Sequence, residues 1–239
     1  MSLLSVKKLS KVIKKRTIIK DISFNINNSE IVGLLGPNGA GKTTTFYAIA
    51  GLIRPSDGEI FINDEEITKI SMHNRSKLGI SYLPQEPSIF QNLSVKDNIL
   101  GLAQLSLRSA ENVDKKFNEV VEQFNLSNIL SHKGIELSGG QRRRVEIARS
   151  LVTNPKIILM DEPFAGIDPI AVDEIKKILH QLVSQNISIL ITDHNVRAAL
   201  EICNRGLILS EGKILAEGTT DELVKNPKVQ EVYLGEMYS

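Results

Sequence analysis

The sequence predicts an α/β fold built on a mostly parallel β-sheet, with an N-terminal antiparallel β layer and an inserted helical subdomain. Three observations carry this prediction. Several short runs are apolar at nearly every position, as parallel strands covered on both faces are. In the second half of the chain these runs alternate with segments of helical periodicity. Residues from about 95 to 131 show no β pattern and are predicted to form two or three helices.

The strands are predicted in two groups. Residues 3–6, 22–26 and 59–62 form short runs, and Ser56-Asp57-Gly58 is typical of a turn, which favours antiparallel pairing. The fully apolar runs, which predict the buried parallel strands, are residues 31–35, 157–160, 187–191 and 206–210.

The helices are predicted from caps and apolar stripes. A helix is expected over residues 44–51, directly after a glycine-rich stretch, and Ser94 is expected to cap the first helix of the inserted segment. The apolar stripe expected in that segment is Val113, Phe117, Val120, Val121 and Phe124. A crossover helix between two of the parallel strands is expected to bury Ile175, Ile178, Leu179, Leu182 and Val183.

Composition excludes several classes of protein. The chain has 239 residues, of which 41% are hydrophobic and 24% charged, values typical of one folded core rather than a disordered or coiled-coil chain. No stretch approaches the roughly 20 apolar residues of a membrane span, and no secretory signal is apparent. The single Cys203 agrees with a reducing compartment. A cytoplasmic location is therefore expected. The net charge of +1 argues against nucleic acid as a partner.

A phosphate-binding loop follows the run at residues 31–35. The stretch Gly36-Pro37-Asn38-Gly39-Ala40-Gly41-Lys42-Thr43 matches the pattern G-x-x-x-x-G-K-[ST] and leads, with Thr44, into the predicted helix. Glycines let successive backbone N–H groups face an anion, and the helix N-terminus adds its positive end. Lys42 is expected to neutralise the β- and γ-phosphates of a nucleotide, and the Thr43 hydroxyl to bind Mg²⁺.

Two adjacent acids follow the apolar run at residues 157–160. A buried strand delivers Asp161 and Glu162 to the carboxyl edge of the sheet, where ligands of open α/β sheets bind. Asp161 is expected to serve Mg²⁺. Glu162 is expected to polarise the attacking water as a general base. Together with the loop, these acids predict a nucleotide-hydrolysing site of the P-loop type.

The remaining motifs resemble those of the ATP-binding cassette (ABC) ATPases across essentially the whole chain. Leu137-Ser138-Gly139-Gly140-Gln141 is similar to the signature motif of that family, Gln85 to its Q-loop glutamine, Ala165-Gly166-Ile167-Asp168 to its D-loop and His194 to its switch histidine. The resemblance implies the ABC ATPase fold, with ATP and Mg²⁺ as ligands. It further implies catalytic roles for Gln85 and His194, and Gln85 as a metal ligand.

The resemblance also implies a homodimer that sandwiches ATP. In this family two cassettes stack head to tail, so that Ser138, Gly139, Gly140 and Gln141 of one copy meet the nucleotide held by Lys42 of the other. A small-residue helix start offers a hydroxyl and N–H groups to a phosphate. A motif in one molecule that faces the loop of its partner gives a two-fold, isologous interface.

Longer strings narrow the resemblance. Residues 82–90, 161–169, 192–196 and 232–236 are similar to the ATPase subunit of lipopolysaccharide-export transporters. That similarity implies a pair of membrane subunits docked at a groove near Gln85, Phe90 and Gln91, and a location on the cytoplasmic face of the inner membrane. Branched-chain amino-acid importer ATPases share parts of these strings and remain an alternative. A non-transport cassette ATPase acting on nucleic acid is a weaker alternative.

Two further expectations concern detail. Ile13 stands where these ATPases usually carry an adenine-stacking aromatic residue, and it is expected to cover the base without π stacking. The arginines at 142–144 are expected to play mixed surface and ion-pair roles.

Residues 1–90 and 155–220 are expected to form the nucleotide-binding core, about 91–154 the helical subdomain and about 221–239 a C-terminal helical extension.

Overall fold

A computed structural model describes residues 2–107, 109–193 and 199–231. Two β-sheets contain the strands. A six-stranded sheet has the order β10-β9-β3-β8-β7-β6, in which every neighbouring pair is parallel except β10 with β9. Its strands are β3 (Ile31–Leu35), β6 (Ile80–Leu83), β7 (Ile157–Asp161), β8 (Ser188–Thr192), β9 (Arg205–Ser210) and β10 (Lys213–Gly218).

An antiparallel sheet of order β2-β1-β4-β5 lies at the N-terminus. Its strands are β1 (Ser2–Ile13), β2 (Arg16–Asn27), β4 (Asp57–Ile62) and β5 (Glu65–Glu66). β1 and β2 are longer than the sequence pattern predicts, because irregularities such as the one at Lys8, with φ of 48°, break the alternation while pairing continues. The predicted turn at 56–58 is wrong in its second half, since Asp57 and Gly58 already pair with β1 or belong to β4.

The helices divide into those on the nucleotide-binding core and those of the inserted segment. Their bounds are α1 (Lys42–Ala50), α2 (Met72–Lys77), α3 (Val95–Ser106), α4 (Ala110–Gln123), α5 (Gly139–Leu151), α6 (Pro169–Ser184) and α7 (Thr220–Lys225). Single 3-10 turns cover Ser127–Ile129 and Gly134–Glu136, and Pro227–Val229 forms one further helical turn. Ser94 caps α3 as predicted, with its Oγ accepting from the N–H of Asp97.

The six-stranded sheet separates two hydrophobic cores. Along β3, Ile31 and Leu35 pack with the helical segment, whereas Val32 and Leu34 pack against the antiparallel sheet and α1. Ile158 and Ile157 of β7 divide between the two cores in the same way. Coverage of both faces explains why these strands are apolar at every position. In the predicted α4 stripe, Phe117 is only partly buried and the other four residues are buried.

Arg75 of α2 closes the C-terminal end of α1. Its side chain is 1% exposed and donates to the carbonyl oxygens of Ala48 and Ile49 at 2.6 Å each, and to those of Ile70 at 2.9 Å and Thr68 at 3.1 Å. The last carbonyls of a helix have no partner within the helix, so a cation there is stabilising. Burial lowers the Arg75 pKa to about 10, which still leaves the guanidinium charged at neutral pH.

The Arg75→Met variant should be strongly destabilised. It leaves the buried carbonyl oxygens at the end of α1 without their donors, at an expected cost of about 3 kcal/mol in the free energy of unfolding. Urea denaturation measures this cost. Lys77→Met, an exposed position on the same helix, should change stability by less than about 0.5 kcal/mol. Equal stabilities for the two variants would contradict this account of Arg75.

The described ranges contain no helix that is both long and apolar enough to cross a bilayer. α3, α4 and α5 all lie within residues 91–154, and the strands of both sheets lie outside it. The division into core, helical subdomain and C-terminal extension stays a prediction.

Candidate nucleotide-binding and hydrolysis site

The loop between β3 and α1 wraps around the start of α1. Gly41 has φ of 102°, and a Cβ built on it would lie 2.5 Å from Cγ2 of Ile19. Gly36 has φ of 150°, and its Cβ would lie 2.2 Å from the carbonyl oxygen of Leu209. Only glycine combines these backbone angles with such close approach. The glycines therefore let the loop curl between β2 and β9.

The first turn of α1 fits a phosphate group. Its N-cap, Gly41, supplies no side-chain hydrogen bond to the first-turn N–H groups. Lys42 is buried, Thr43 is exposed and Thr44 is half-buried, so Thr43 is accessible at the start of the helix. Uncapped N–H groups at the positive end of a helix are suited to an anion.

Lys42 places a buried cation inside this loop. Its side chain is 8% exposed, and Nζ donates to the carbonyl oxygens of Gly36 at 2.6 Å and Pro37 at 3.1 Å. Burial lowers the pKa of Lys42, and the negative charges of Glu162 and Asp161 partly oppose that effect. A buried ammonium that is incompletely compensated by nearby acids would be stabilised by the negative charge of a phosphate.

Asp161 and Glu162 stand at the carboxyl end of β7. Asp161 is buried, and its Oδ1 accepts from the Thr192 hydroxyl at 2.6 Å. Glu162 has φ of 48°, and its N–H donates to the carbonyl oxygen of Thr192 at 2.9 Å. This left-handed conformation at the strand end turns two adjacent carboxylates in different directions. Burial and the charge of Asp161 also raise the pKa of Tyr82 on β6.

Gln85 meets Glu162 across the sheet edge. Nε2 of Gln85 donates to Oε2 of Glu162 at 2.7 Å, although the two residues are 77 positions apart. Parallel pairing explains the contact, because Leu83 lies opposite Met160 in the β6–β7 register. The residues two positions further on, Gln85 and Glu162, therefore meet. The structure thus brings together a residue predicted as a Q-loop glutamine and the predicted general base.

The oxygen-rich donor set fits Mg²⁺. Thr43, Gln85 and Asp161 offer a hydroxyl, an amide and a carboxylate, which are hard ligands of the kind this ion takes. Within the described ranges no cluster of three or more His, Cys, Asp or Glu side chains could hold a metal by itself. A site of this type would take further ligands from water and phosphate oxygens, as Mg²⁺ usually does.

His194 lies outside the described residues, so its predicted role as the switch histidine stays a prediction. Its neighbour Asp193 is buried, and Oδ2 of Asp193 accepts from the N–H of Phe164 at 3.3 Å. The loop from Phe164 to Asp168 ends where Asp168 caps α6, with Oδ1 of Asp168 accepting from the N–H of Ala171 at 3.0 Å. These bonds attach the predicted D-loop to β8 and α6.

The predicted signature motif forms the start of α5. Ser138 and Gln141 make a reciprocal capping box, in which Ser138 Oγ accepts from the N–H of Gln141 at 3.3 Å and Gln141 Oε1 accepts from the N–H of Ser138 at 3.0 Å. Gly140 packs closely on α6, since a Cβ there would lie 2.5 Å from that of Ala171. Ser138 and Gly139 remain exposed and available to a neighbouring molecule.

A groove of about 500 Å³ adjoins the phosphate loop. Its walls are Arg16, Thr17 and Ile18 of β2, Pro37–Ala40 of the loop, and Ser210 and Glu211 at the end of β9. Ile13 is 44% exposed and pairs with Arg16 across the β1–β2 hairpin, which puts it next to this groove. The wall at residues 16–18 was not predicted from the sequence. The available signal was its place just after Ile13, on the second strand of the same hairpin.

Phe90 is exposed rather than part of the core. Its side chain is 62% exposed, and the guanidinium of Arg149 lies 5.4 Å from its ring centroid. Gln91 is exposed beside it. A second groove close by is lined by residues of α2, α3, α5 and β6, among them Met72, Leu102 and Arg149.

Two of the three arginines at 142–144 form ion pairs, as expected, and one of these pairs is buried. Arg144 pairs with Glu174 on the surface at 2.7 Å, as a surface ion-pair role predicts. Arg143 is buried and pairs with Glu146 at 3.0 Å. A pair of opposite charges three positions apart on one helix was the sequence signal for this contact.

The chain is similar to known proteins along its length. Residues 19–165 match the family described as ABC transporter, and residues 213–239 match a family described as branched-chain amino acid ATP-binding cassette transporter. The lipopolysaccharide export system ATP-binding protein LptB of Haemophilus influenzae is 49% identical over 239 residues, which cover 100% of this chain and 99% of that protein.

Solved structures resemble the fold. An ATP-binding cassette of an ABC transporter in its ADP conformation is 29% identical, with a TM-score of 0.90 and coverage of 99% of this chain and 100% of the other. A dimeric ATP-binding cassette in a post-hydrolysis state, bound to ADP and Pi, is 27% identical, with a TM-score of 0.78 and coverage of 91% and 98%.

Proposed function

Since this chain belongs to the ATP-binding cassette transporter family and is therefore an ATPase, we propose that it is the motor subunit of a lipopolysaccharide-export transporter. The observation that carries the hydrolytic site is the 2.7 Å contact of Gln85 with Glu162, at the same sheet edge as Asp161. The 49% identity to an LptB protein along the whole chain supports the transported substrate.

The roles of the residues follow from their positions. Backbone N–H groups of Gly36, of residues 38–41 and of the first turn of α1 would hold the phosphates, with Lys42 opposite the β- and γ-phosphates. Thr43, Asp161 and Gln85 would hold Mg²⁺, which supplies charge neutralisation on the phosphate oxygens. Gln85 would orient Glu162, which would accept the proton of the attacking water. The family resemblance implies that His194 assists hydrolysis.

A homodimer would complete the site. Ser138 and Gly139 are exposed at the positive end of α5, where they are able to contact a phosphate held by a second copy. One cassette structure similar to this chain is dimeric and binds ADP and Pi. ATP bound only in the closed pair stabilises that pair by mass action, and hydrolysis removes the bridge. Closing and opening of the pair is the proposed work cycle.

Integral membrane subunits are the proposed partners of the dimer. The exposed ring of Phe90, with Gln91 beside it, offers an apolar contact at the end of the segment that begins with Gln85. This surface would connect the hydrolytic site to a membrane subunit, and would place the chain on the cytoplasmic face of the inner membrane. Nucleic acid is not a proposed partner.

The alternative, a branched-chain amino-acid importer ATPase, has one specific observation in its favour. Residues 213–239 match a family described by that substrate. The same residues are included in the alignment with the Haemophilus influenzae LptB protein, which covers the entire chain. The C-terminal match therefore does not separate the two substrates, and the whole-chain identity favours lipopolysaccharide export.

Copurification tests the proposed substrate. A tagged Glu162→Gln form, purified from its native membranes with ATP present, should retain its partners, and mass spectrometry should identify a pair of lipopolysaccharide-export membrane subunits. A Lys42→Ala, Glu162→Gln form, which should not hold ATP, is the matched control. Recovery of amino-acid permease subunits would overturn the substrate and leave the ATPase assignment intact.

Restoring an aromatic ring at Ile13 should strengthen nucleotide binding. Ile13→Tyr would allow stacking on the base, with an expected two- to tenfold decrease in the ATP Kd, equivalent to about 0.5–1.5 kcal/mol. Equilibrium titration with ATP measures this decrease. Val12→Tyr, whose side chain leaves the opposite face of the strand, is the matched control and should leave the Kd unchanged. Inorganic tripolyphosphate should bind all three forms equally, and a tighter tripolyphosphate complex with Ile13→Tyr would contradict base stacking.

A further inference from the structure

A buried ion pair lies in the second turn of α5. Arg143 and Glu146 are 5% and 4% exposed, and Nη1 of Arg143 lies 3.0 Å from Oε2 of Glu146. The same helix begins next to Ser138, the residue proposed to reach the ATP of the partner copy. Burial of two charges is costly, so such a pair requires an explanation.

The pair holds the backbone on both sides of Gln85. Nη1 of Arg143 also donates to the carbonyl oxygen of Pro84 at 3.2 Å. Oε1 of Glu146 accepts from the N–H of Ser88 at 2.7 Å. Residues 84–88 have no helix or strand of their own, so these side chains replace the regular hydrogen bonds that would otherwise fix the segment.

A second buried side chain continues the attachment. Asn98 of α3 accepts from the N–H of Phe90 at 2.8 Å and donates to its carbonyl oxygen at 3.0 Å. Arg149 of α5 donates to Oδ1 of Asn98 at 3.4 Å. The segment from Pro84 to Phe90 is thus tied to the helical segment at both ends, while Gln85 projects from it to Glu162 in the nucleotide-binding core.

Stability does not explain the pair. Well-packed apolar residues in place of a buried ion pair are often neutral or stabilising. Nε and Nη2 of Arg143 are buried and have no hydrogen-bond partner in the part of the chain that the structure describes. The donors and acceptors that are used point at backbone groups of the Gln85 segment, which indicates a role in placing that segment.

We propose that Arg143 and Glu146 are positioning residues that fasten the Gln85 segment to α5, so that the placement of Gln85 against Glu162 follows the position of the helix. This inference rests on the proposed hydrolytic function. The same helix begins next to Ser138, so the Gln85 segment and the residue proposed to meet the ATP of the partner copy are attached to one helix.

The test replaces the pair by apolar residues of similar volume. The Arg143→Met, Glu146→Leu double variant of the full chain should remain folded, because the apolar pair offsets part of the cost of the two backbone hydrogen bonds lost at Pro84 and Ser88. Its kcat for ATP hydrolysis should fall by about ten- to hundredfold, with KM within about threefold, because the loss is in placement of a catalytic group and not in ATP binding.

Epistasis with Gln85 separates positioning from general damage. In a Gln85→Ala background the same double substitution should cause no further loss of kcat, since the group that the pair positions is already absent. An additional loss as large as that in the wild-type background would overturn the proposal, as would wild-type kcat in the double variant. If the double variant does not fold, Glu146→Gln replaces it, with a smaller loss expected and the same dependence on Gln85.

Two controls complete the design. Lys116 and Glu119 form an ion pair of the same spacing on α4, 3.0 Å apart and more exposed, and Lys116→Gln, Glu119→Gln should keep wild-type kcat. Glu162→Gln, measured in parallel, tests the hydrolytic function itself. Persisting hydrolysis in Glu162→Gln would sink the proposed site, whereas its loss together with full activity in the Arg143→Met, Glu146→Leu variant would sink only the positioning role.

Discussion

Glu162→Gln should lose ATP hydrolysis by about 10²- to 10⁴-fold, the range that a general base contributes, and should still bind ATP. The amide has the shape of the carboxylate and can still accept from Nε2 of Gln85, which lies 2.7 Å from Oε2 in the native protein. It is unable to take a proton from water. The backbone conformation at this position, with φ of 48°, is no harder for Gln than for Glu.

Two measurements check this expectation. Phosphate release gives turnover, and equilibrium titration gives ATP affinity. Hydrolysis is the step that reopens the proposed dimer, so Glu162→Gln should also remain dimeric in ATP during size-exclusion chromatography. The wild type, which hydrolyses its ATP, should elute as it does without nucleotide. Glu119→Gln on the exposed face of α4 serves as the matched substitution and should hydrolyse normally. Unchanged turnover in Glu162→Gln would show that another group accepts the proton.

Lys42→Ala should largely abolish ATP binding and turnover. Lys42 is the buried cation of the phosphate loop, and a charge-assisted hydrogen bond to phosphate contributes about 1.5–3 kcal/mol, so affinity should fall by at least about tenfold. The Ala side chain also removes the ammonium that is bonded to the carbonyl oxygens of Gly36 and Pro37. Equilibrium titration and phosphate release are the measurements.

A second variant separates binding from folding. Burial lowers the Lys42 pKa, which means that the folded protein stabilises the charged ammonium less well than water does. Lys42→Met keeps the length of the side chain without the charge, and should remain folded, because relief of the buried charge opposes the loss of the two hydrogen bonds to Gly36 and Pro37. Lys115→Ala on the exposed face of α4 should change neither binding nor stability. Full turnover in Lys42→Ala would refute the phosphate role.

The strands that the sequence predicted in the six-stranded sheet are its four central ones. β3, β7, β8 and β9 are covered on both faces, and their apolar runs are visible without a structure. The two strands without a sequence prediction, β6 and β10, are the edges of that sheet. An edge strand has one paired neighbour and partly exposed side chains, so its pattern is mixed.

The sequence alone predicted the chemistry of the site. The loop at 36–43, the acids at 161–162 and the motif at 137–141 are local patterns, because a phosphate cradle, a strand end and a helix cap each need only neighbouring residues. Their types and spacing predict a nucleotide phosphate and Mg²⁺ as ligands, and the resemblance to the ABC ATPases implies that the nucleotide is ATP.

Only the tertiary structure decided which distant residues meet. Gln85 reaches Glu162 because β6 pairs with β7 in a register that sets Leu83 opposite Met160. Arg143 is buried because α5 packs over the segment that carries Gln85. Strand order and helix packing depend on contacts between residues far apart in the chain, and the free energy of those contacts is not encoded in any local pattern.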